Sequence, residues 1–159
     1  MSVGNRIAKS MDRIYDRMRD PAAFRIRADE AASGDFDGLR GARYAVVVTF
    51  RRNGQSVPSP VWFGVDTKGR LYLQTPRDSG KVKRIRNDPR VLVAPSNARG
   101  KPKGPVLTGR ARVLSKDEWS YAELTLAASY GVGRKIYEAT LRIPEELMAY
   151  VEISPLASP

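Results

Sequence analysis

The chain contains neither cysteine nor histidine among its 159 residues. Without cysteine it forms no disulfide and offers no thiolate metal ligand, and nothing points to an oxidising compartment. Without histidine it lacks Ser-His-Asp and Cys-His nucleophilic machinery, imidazole-bound zinc and the usual proton shuttle at neutral pH. Any difficult chemistry must therefore come from a bound cofactor. We expect no metal site, and the sequence assigns no catalytic side chain.

Long apolar runs are also missing. The N-terminus carries none that would suit a signal peptide or a membrane helix, so we expect an unprocessed, cytoplasmic protein with no membrane span. An apolar content of 42% in 159 residues fits one globular domain with a core of ordinary size.

Negative charge is scarce relative to positive charge. The chain has 28 Lys and Arg residues against 17 Asp and Glu residues, a formal net charge of +11, which favours an anionic partner. The cations are spread along the chain, in the N-terminal segment, Arg51-Arg52, Lys81 to Arg90 and Arg99 to Lys103. Aromatic residues that could stack on bases are not interleaved with them, which argues against nucleic acid as the main partner.

The N-terminal segment has helical periodicity. Ile7, Met11, Ile14 and Met18 recur at spacings of four, three and four and form one apolar stripe, and Pro21 ends the helix. The stripe favours packing against the barrel or a partner subunit over a membrane surface. Residues 28–41 are rich in Ala, Gly, Asp and Ser and predict a linker or loosely held coil. We therefore divide the chain into an extension over residues 1–40 and a cofactor-binding domain over residues 41–155.

From Tyr44 the pattern becomes that of β-strands. A β-branched run, Ala45–Phe50, precedes Asn53-Gly54, the dipeptide of a two-residue hairpin turn. The strand predicted after it, residues 55–65, contains two prolines that cannot donate ladder hydrogen bonds, which favours an edge position. Further strands are predicted at residues 70–75, 91–94, 106–114 and 149–153. Ser115 and Glu118 have the spacing of a capping box that opens a helix towards Tyr130, and another helix is predicted around residues 134–142.

A short basic helix follows the strand that ends at Thr75. It starts near Ser79-Gly80-Lys81 and stops before Pro89. The first N-H groups of a helix lack partners within it, the helix dipole favours an anion there, and Lys81 adds a full charge. The segment is therefore a candidate phosphate site, although a solvated basic helix would have the same charge pattern.

These segments, taken in order, resemble the flavin and deazaflavin oxidoreductases of split β-barrel fold, the superfamily that includes pyridoxamine 5'-phosphate oxidase. The resemblance covers about residues 40–155. It depends on the strand Val57–Phe63, the strand Leu71–Thr75, and Ser79-Gly80-Lys81 leading to Asn87-Asp88-Pro89-Arg90-Val91. Within the superfamily the pattern is most similar to the actinobacterial branch that uses coenzyme F420, a deazaflavin with a phosphate and an oligoglutamate tail.

The resemblance implies a mainly β fold, a six-stranded split β-barrel of the FMN-binding type with flanking helices and an N-terminal helix. It also implies a homodimer with the cofactor in a groove between subunits, where the Arg99 to Lys103 loop or the N-terminal helix could reach the partner's cofactor. The cofactor residues that it implies lie on two strands and the basic helix: Ser59, Pro60, Val61, Trp62, Gln74, Thr75, Ser79, Gly80, Lys81 and Arg84.

The implied activity is hydride transfer from F420 to a small acceptor such as an enone, a quinone or a tetrapyrrole. Three alternatives stay open: FMN as the cofactor of an oxidase or reductase, a non-catalytic carrier of the same fold, and Trp62 as a plain core residue. The C-terminus, Glu152–Pro159, lacks the Arg and His that contact substrate in the oxidase that makes pyridoxal phosphate, so that substrate is not expected.

Overall fold

The computed structural model describes residues 3–130 and 144–156. The helix predicted around residues 134–142 lies outside the described residues. Within the described residues, seven antiparallel strands form one curled sheet, in the order β2-β1-β5-β6-β7-β4-β3. The strands are β1 (Tyr44–Phe50), β2 (Ser56–Val61), β3 (Gly64–Val65), β4 (Leu71–Pro76), β5 (Arg90–Ser96), β6 (Leu107–Val113) and β7 (Met148–Pro155). The α-helices in the same part of the chain are α1 (Val3–Met18), α2 (Gly80–Asn87) and α3 (Trp119–Tyr130).

The predicted fold class, mainly β with flanking helices, is confirmed. The sheet has seven strands instead of the predicted six, because the strand predicted over residues 55–65 is two strands. The ladder stops after Val61, and the chain resumes pairing at Gly64 with a different neighbour, β4. Trp62 and Phe63 thus mark the point where the chain passes from one edge of the sheet to the other.

The β1–β2 hairpin forms where the sequence predicts it, but its loop has three residues, 52–54, instead of the predicted two. Arg51 N–H donates to the Gln55 carbonyl and Gly54 N–H donates to the Arg51 carbonyl, both at 2.9 Å, and Gly54 adopts a φ of 85°. The two prolines of β2 lie opposite Val48 and Val46, and β2 is at the edge of the sheet as predicted. An edge strand tolerates proline because the side without a neighbouring strand needs no backbone N–H for a ladder hydrogen bond.

Strand β1 is buried on both faces, which explains why its sequence is a continuous apolar run. Ala45 and Val47 belong to the core cluster inside the curl of the sheet. Val46 and Val48 point the other way and pack with Ala23 and Ile26 of the N-terminal extension. The extension therefore covers a sheet face that would otherwise expose apolar side chains to water.

The prediction of a loosely held coil over residues 28–41 is wrong from Ala32 onwards. Phe36 and Leu39 are fully buried in the core, and Ala32 exchanges backbone hydrogen bonds with Val106 and Thr108 at 2.9 Å. The segment is mostly polar, so its composition did not indicate that Phe36 and Leu39 are core residues. A short 3-10 turn directs both side chains into the core. The division of the chain near residue 41 stays a prediction.

Helix α1 ends at Met18, before Pro21 as predicted. Ile14 and Met18 are 57% and 55% exposed, so this part of the apolar stripe does not pack on the barrel of its own protomer. Packing of the stripe on a partner subunit stays a prediction. Among the described residues, no helix is both long and apolar enough to cross a bilayer.

A buried polar network joins the turn before β4 to β7 and β6. Tyr72 Oη donates to Glu152 Oε2 at 2.8 Å and lies 3.3 Å from Asp66 Oδ2. Arg70 pairs with Asp66 at 2.9 Å, and Arg112 pairs with Glu152 at 3.0 Å. Each buried carboxylate is thus both paired and hydrogen-bonded, which is the condition under which burying a charge is tolerated.

The environment of Asp66 makes the network sensitive to acid. Burial by itself would raise the pKa of the Asp66 carboxyl, but the Arg70 backbone N–H, the Tyr121 hydroxyl and the Arg70 guanidinium together hold that pKa below its ordinary value. The charged form therefore stabilises the fold above the unfolded-state pKa of about 3.9, and this stabilisation is lost as the pH falls from there through the folded-state pKa.

We expect Asp66→Asn to lower the free energy of unfolding at neutral pH by about 1.5–3 kcal/mol, because hydrogen bonds to a charged group are lost. The fall in stability between about pH 5 and pH 3 should also become shallower than in the wild type. Urea denaturation across that range measures both effects. Asp37→Asn, which breaks an exposed pair with Arg40, is the control and should change stability far less. Equal losses in the two variants would contradict the importance of the network.

Candidate functional site

Three residues separate the end of β4 from the start of helix α2, and the last of them, Ser79, is the N-cap of the helix. Ser79 is 2% exposed, its N–H donates to the Pro76 carbonyl at 3.0 Å, and its Oγ accepts the Val82 N–H at 3.3 Å. Val82 and Ile85 point from the helix into the protein, and Ile85 joins the main core cluster. The cap and the buried face together fix where the helix starts and how it is rotated.

Thr75 lies beside this cap. Its Oγ1 is 3.4 Å from Ser79 Oγ, and both side chains are buried. The alternation of side chains along β4 turns Thr75 to the face that carries Leu71 and Leu73 of the core. The structure thus brings together two hydroxyl groups that the sequence placed in the same predicted site.

The first turn of α2 has an unusual charge pattern. It contains no acidic residue, and Lys81, which is partly buried, stands where Asp or Glu would favour the helix dipole. The first turn of α2 therefore has the charge pattern that the sequence analysis associates with an anion site.

Arg84 extends the site to β1. It is partly buried, lies one helical turn after Lys81, and its Nε donates to Thr49 Oγ1 at 2.7 Å. Thr49 is fully buried and in turn donates to the Val57 carbonyl at 3.4 Å. The sequence analysis missed Thr49. The one signal available was a hydroxyl residue at the end of an otherwise apolar run.

The β2 residues divide between the two faces of the sheet. Ser59 and Val61 lie opposite Val47 and Ala45, which places them on the core side, whereas Pro60 lies opposite Val46 on the other side. Trp62 is partly exposed just after the strand and packs edge to face against Tyr44, with ring centroids 6.0 Å apart. Ser59 and Val61 therefore share the sheet face on which Thr49 is found.

Gln74 is separated from its neighbour Thr75. It lies on the other face of β4, where its Nε2 donates to Tyr150 Oη at 3.3 Å. Tyr150 Oη in turn donates to Glu123 of α3. The Gln74 side chain is therefore engaged beside α3, while Thr75, Ser79 and Arg84 gather around α2.

Sequence comparison identifies the family. The family model described as pyridoxamine 5'-phosphate oxidase matches residues 36–147, well over half of the chain. The chain belongs to the pyridoxamine 5'-phosphate oxidase family. The match contains β1 to β6 together with α2 and α3, so the Thr75, Ser79 and Arg84 constellation lies within it. No match is found among curated proteins.

Solved structures of similar fold support the same architecture. A protein of unknown function from Agrobacterium tumefaciens has a TM-score of 0.59 and 18% identity, over 77% of this chain and 52% of that one. HutZ, the heme storage protein from Vibrio cholerae, has a TM-score of 0.57 and 11% identity, over 74% and 84%. The conserved hypothetical protein Rv2991 from Mycobacterium tuberculosis has a TM-score of 0.54 and 18% identity, over 81% and 84%. This family member thus spans about half the length of the Agrobacterium protein.

The cap of α2 gives a stability prediction for this family member. We expect Ser79→Ala to lower the free energy of unfolding by about 1 kcal/mol, because the Val82 N–H loses its acceptor, while Ser79→Gly should cost only a few tenths of a kcal/mol. Urea denaturation without added ligand measures both. If the alanine variant were as stable as the wild type, the Ser79 hydroxyl would not contribute to the stability of the helix.

Proposed function

We propose that this protein is an oxidoreductase that binds a flavin-type cofactor through its phosphate, with coenzyme F420 as the first candidate and FMN as the second. One observation supports this above the others. Two buried hydroxyls lie at the N-cap of α2, the first turn of the helix carries Lys81 and no acidic residue, and Arg84 follows one turn after Lys81. This set suits the negative charge and the acceptor oxygens of a phosphate.

The donors at the site match the chemistry of a cofactor phosphate. Its oxygens accept strong hydrogen bonds, and it is negatively charged at neutral pH. Lys81 and Arg84 supply two positive charges, Thr75 and Ser79 supply hydroxyl groups, and the first turn of α2 supplies its dipole. Site and group therefore agree in charge and in hydrogen-bonding capacity.

The choice between the two cofactors depends on different observations. F420 is favoured by the ordered resemblance of Ser79-Gly80-Lys81 and Asn87–Val91 to the F420-using branch, and by the net charge of +11, which suits an oligoglutamate tail. FMN is favoured by the family itself. In the basic loop, Arg99 is engaged with the N-terminal segment through the Met18 carbonyl, whereas Lys101 and Lys103 are exposed and open to a tail.

The chain's contribution to the reaction is binding and orientation. The bound cofactor supplies hydride chemistry, for which this chain has no side chain of its own. The α2 site anchors the phosphate, while the core-side face of β2 and Trp62 would set the plane of the ring system. Holding the ring against an enone, quinone or tetrapyrrole acceptor makes the bimolecular hydride transfer effectively unimolecular, which lowers its entropic barrier.

A carrier without turnover is the alternative of another class. Its motivation is that one protein of similar fold, HutZ, is a heme storage protein. Heme is most often held by histidine or cysteine, and this chain has neither, so a heme would need methionine or tyrosine as its axial ligand. The cations at α2 would suit a heme propionate as well as a phosphate, so the missing histidine and cysteine are the reason that we favour the oxidoreductase.

The homodimer implied by the resemblance remains part of the proposal. The partner surface would complete the cofactor groove, and the exposed Ile14 and Met18 of α1 are available to it. Light scattering on the purified protein should then give twice the monomer mass. If the protein were a monomer and still bound the cofactor normally, a groove shared between two subunits would not be needed for binding.

Direct titration tests the cofactor. We expect saturable binding of F420, followed by fluorescence, to be tighter than binding of FMN measured in the same way. Tighter FMN binding would select the second candidate, and binding of neither would contradict the proposed function. Reduction of enones, quinones and tetrapyrroles by protein saturated with the reduced cofactor then separates an enzyme from a carrier, because a carrier turns none of them over.

Removing the charge in the first turn of α2 tests the site. We expect Lys81→Ala to weaken binding of the phosphate-bearing cofactor by about 1.5–3 kcal/mol, since a hydrogen bond to a charged group is lost. Lys83→Ala is the matched control, because Lys83 is exposed on the same helix and should leave the affinity almost unchanged. If the two variants bound the cofactor with equal affinity, Lys81 would not be part of the phosphate site.

A further inference from the structure

We infer that Thr49 is a positioning residue that fixes the guanidinium of Arg84 for the cofactor's phosphate. The inference rests on the proposed function, in which Arg84 is one of the two cations at the phosphate site. Nothing in the family match or in the sequence pattern assigns Thr49 to this site.

The hydroxyl of Thr49 has a defined place in the hydrogen-bond arrangement. Its oxygen accepts the Arg84 Nε–H at 2.7 Å, and its own proton is donated to the Val57 carbonyl at 3.4 Å. Because the hydroxyl proton points to β2, a lone pair is left facing Arg84. The β1–β2 hairpin therefore determines the direction in which Arg84 is held.

Packing alone does not explain why a threonine occupies position 49. Five consecutive residues of β1 are buried, and Thr49 is the polar one among them. Ala45 and Val47, on the same face, are members of the apolar core. Valine has nearly the shape of threonine and would serve packing there, so the hydroxyl is explained by its two hydrogen bonds.

Fixing Nε matters because the guanidinium is planar. One hydrogen bond at Nε restricts the plane in which the remaining donors of Arg84 lie, and an ordered arginine loses less side-chain entropy when it binds an anion. Helical side chains lean over the turn that precedes them, which for Arg84 is the Gly80–Lys81 turn. Thr49 thus orients Arg84 beside the first turn of α2 before the phosphate arrives.

The alternative is that the Thr49–Arg84 bond only fastens α2 to the sheet. The two roles differ in their dependence on the phosphate. A fastener affects every ligand of the site equally, whereas a positioning residue affects only ligands that carry the phosphate.

The experiment compares Thr49→Val and Thr49→Ser with the wild type. Each protein is titrated with the cofactor that the wild type binds and with the phosphate-free chromophore of that cofactor: riboflavin for FMN, or the deazaflavin without phosphate and tail for F420. We expect Thr49→Val to weaken the phosphate-bearing ligand about three- to tenfold, the range for one lost hydrogen bond, and to leave the other ligand unchanged. Thr49→Ser, which keeps the hydroxyl, should restore most of the affinity.

Each other outcome contradicts the inference in a distinct way. Equal weakening of both ligands, or no weakening of either, would show that Thr49 does not act through the phosphate. A serine variant as weak as the valine variant would show that the hydroxyl is not the group that matters. Urea midpoints of the variants, compared with the wild type, detect a loss of fold. A wild-type protein that binds neither cofactor overturns the proposed function together with the inference, whereas normal binding with an unaffected valine variant overturns the inference alone.

Discussion

The position of β7 between β6 and β4 is the constraint on which the rest of the structure depends. Val151 and Ile153 lie opposite Val113 and Ala111 on one side and opposite Leu73 and Leu71 on the other, and both are fully buried. The C-terminal strand thus joins two parts of the sheet whose strands come from earlier in the chain. Pairing across such long sequence separations costs chain entropy, which the buried ladder and the apolar side chains offset.

The candidate site follows from that arrangement. Once β4 pairs with β7, the end of β4 is fixed, and the turn after it directs α2 against the core through Ile85. The helix then spans from Thr75 on β4 to Thr49 on β1, strands that are far apart in the order of the sheet. A single short helix therefore contacts polar groups of two strands, β4 at its N-cap and β1 through Arg84.

The two charged regions of the protein are built in different ways. In the network of Asp66, Arg70, Tyr72, Arg112 and Glu152, every buried carboxylate has a cationic partner within the chain. Burial and the Glu152 carboxylate raise the pKa of Tyr72, so that this hydroxyl remains a donor throughout the physiological range. At α2, in contrast, Lys81 and Arg84 stand on a short helix whose first turn contains no acidic residue. We propose this second region as the anion site, whereas the first region balances its buried carboxylates with cations of the chain itself.

The sequence by itself determined the features that depend on neighbouring residues: the Asn53-Gly54 hairpin, the edge position of the proline-bearing strand, the Ser79 cap, and the capping box of Ser115 and Glu118. Each is set by backbone preferences and hydrogen bonds that span a few residues, so each can be recognised from the sequence alone. Only the tertiary structure decided that Phe36 and Leu39 are core residues, that Gln74 bonds to Tyr150 of β7, and that Thr49 bonds to Arg84 across 35 positions of sequence. Those contacts depend on which strands become neighbours, and strand order is a property of the whole sheet and not of any local segment.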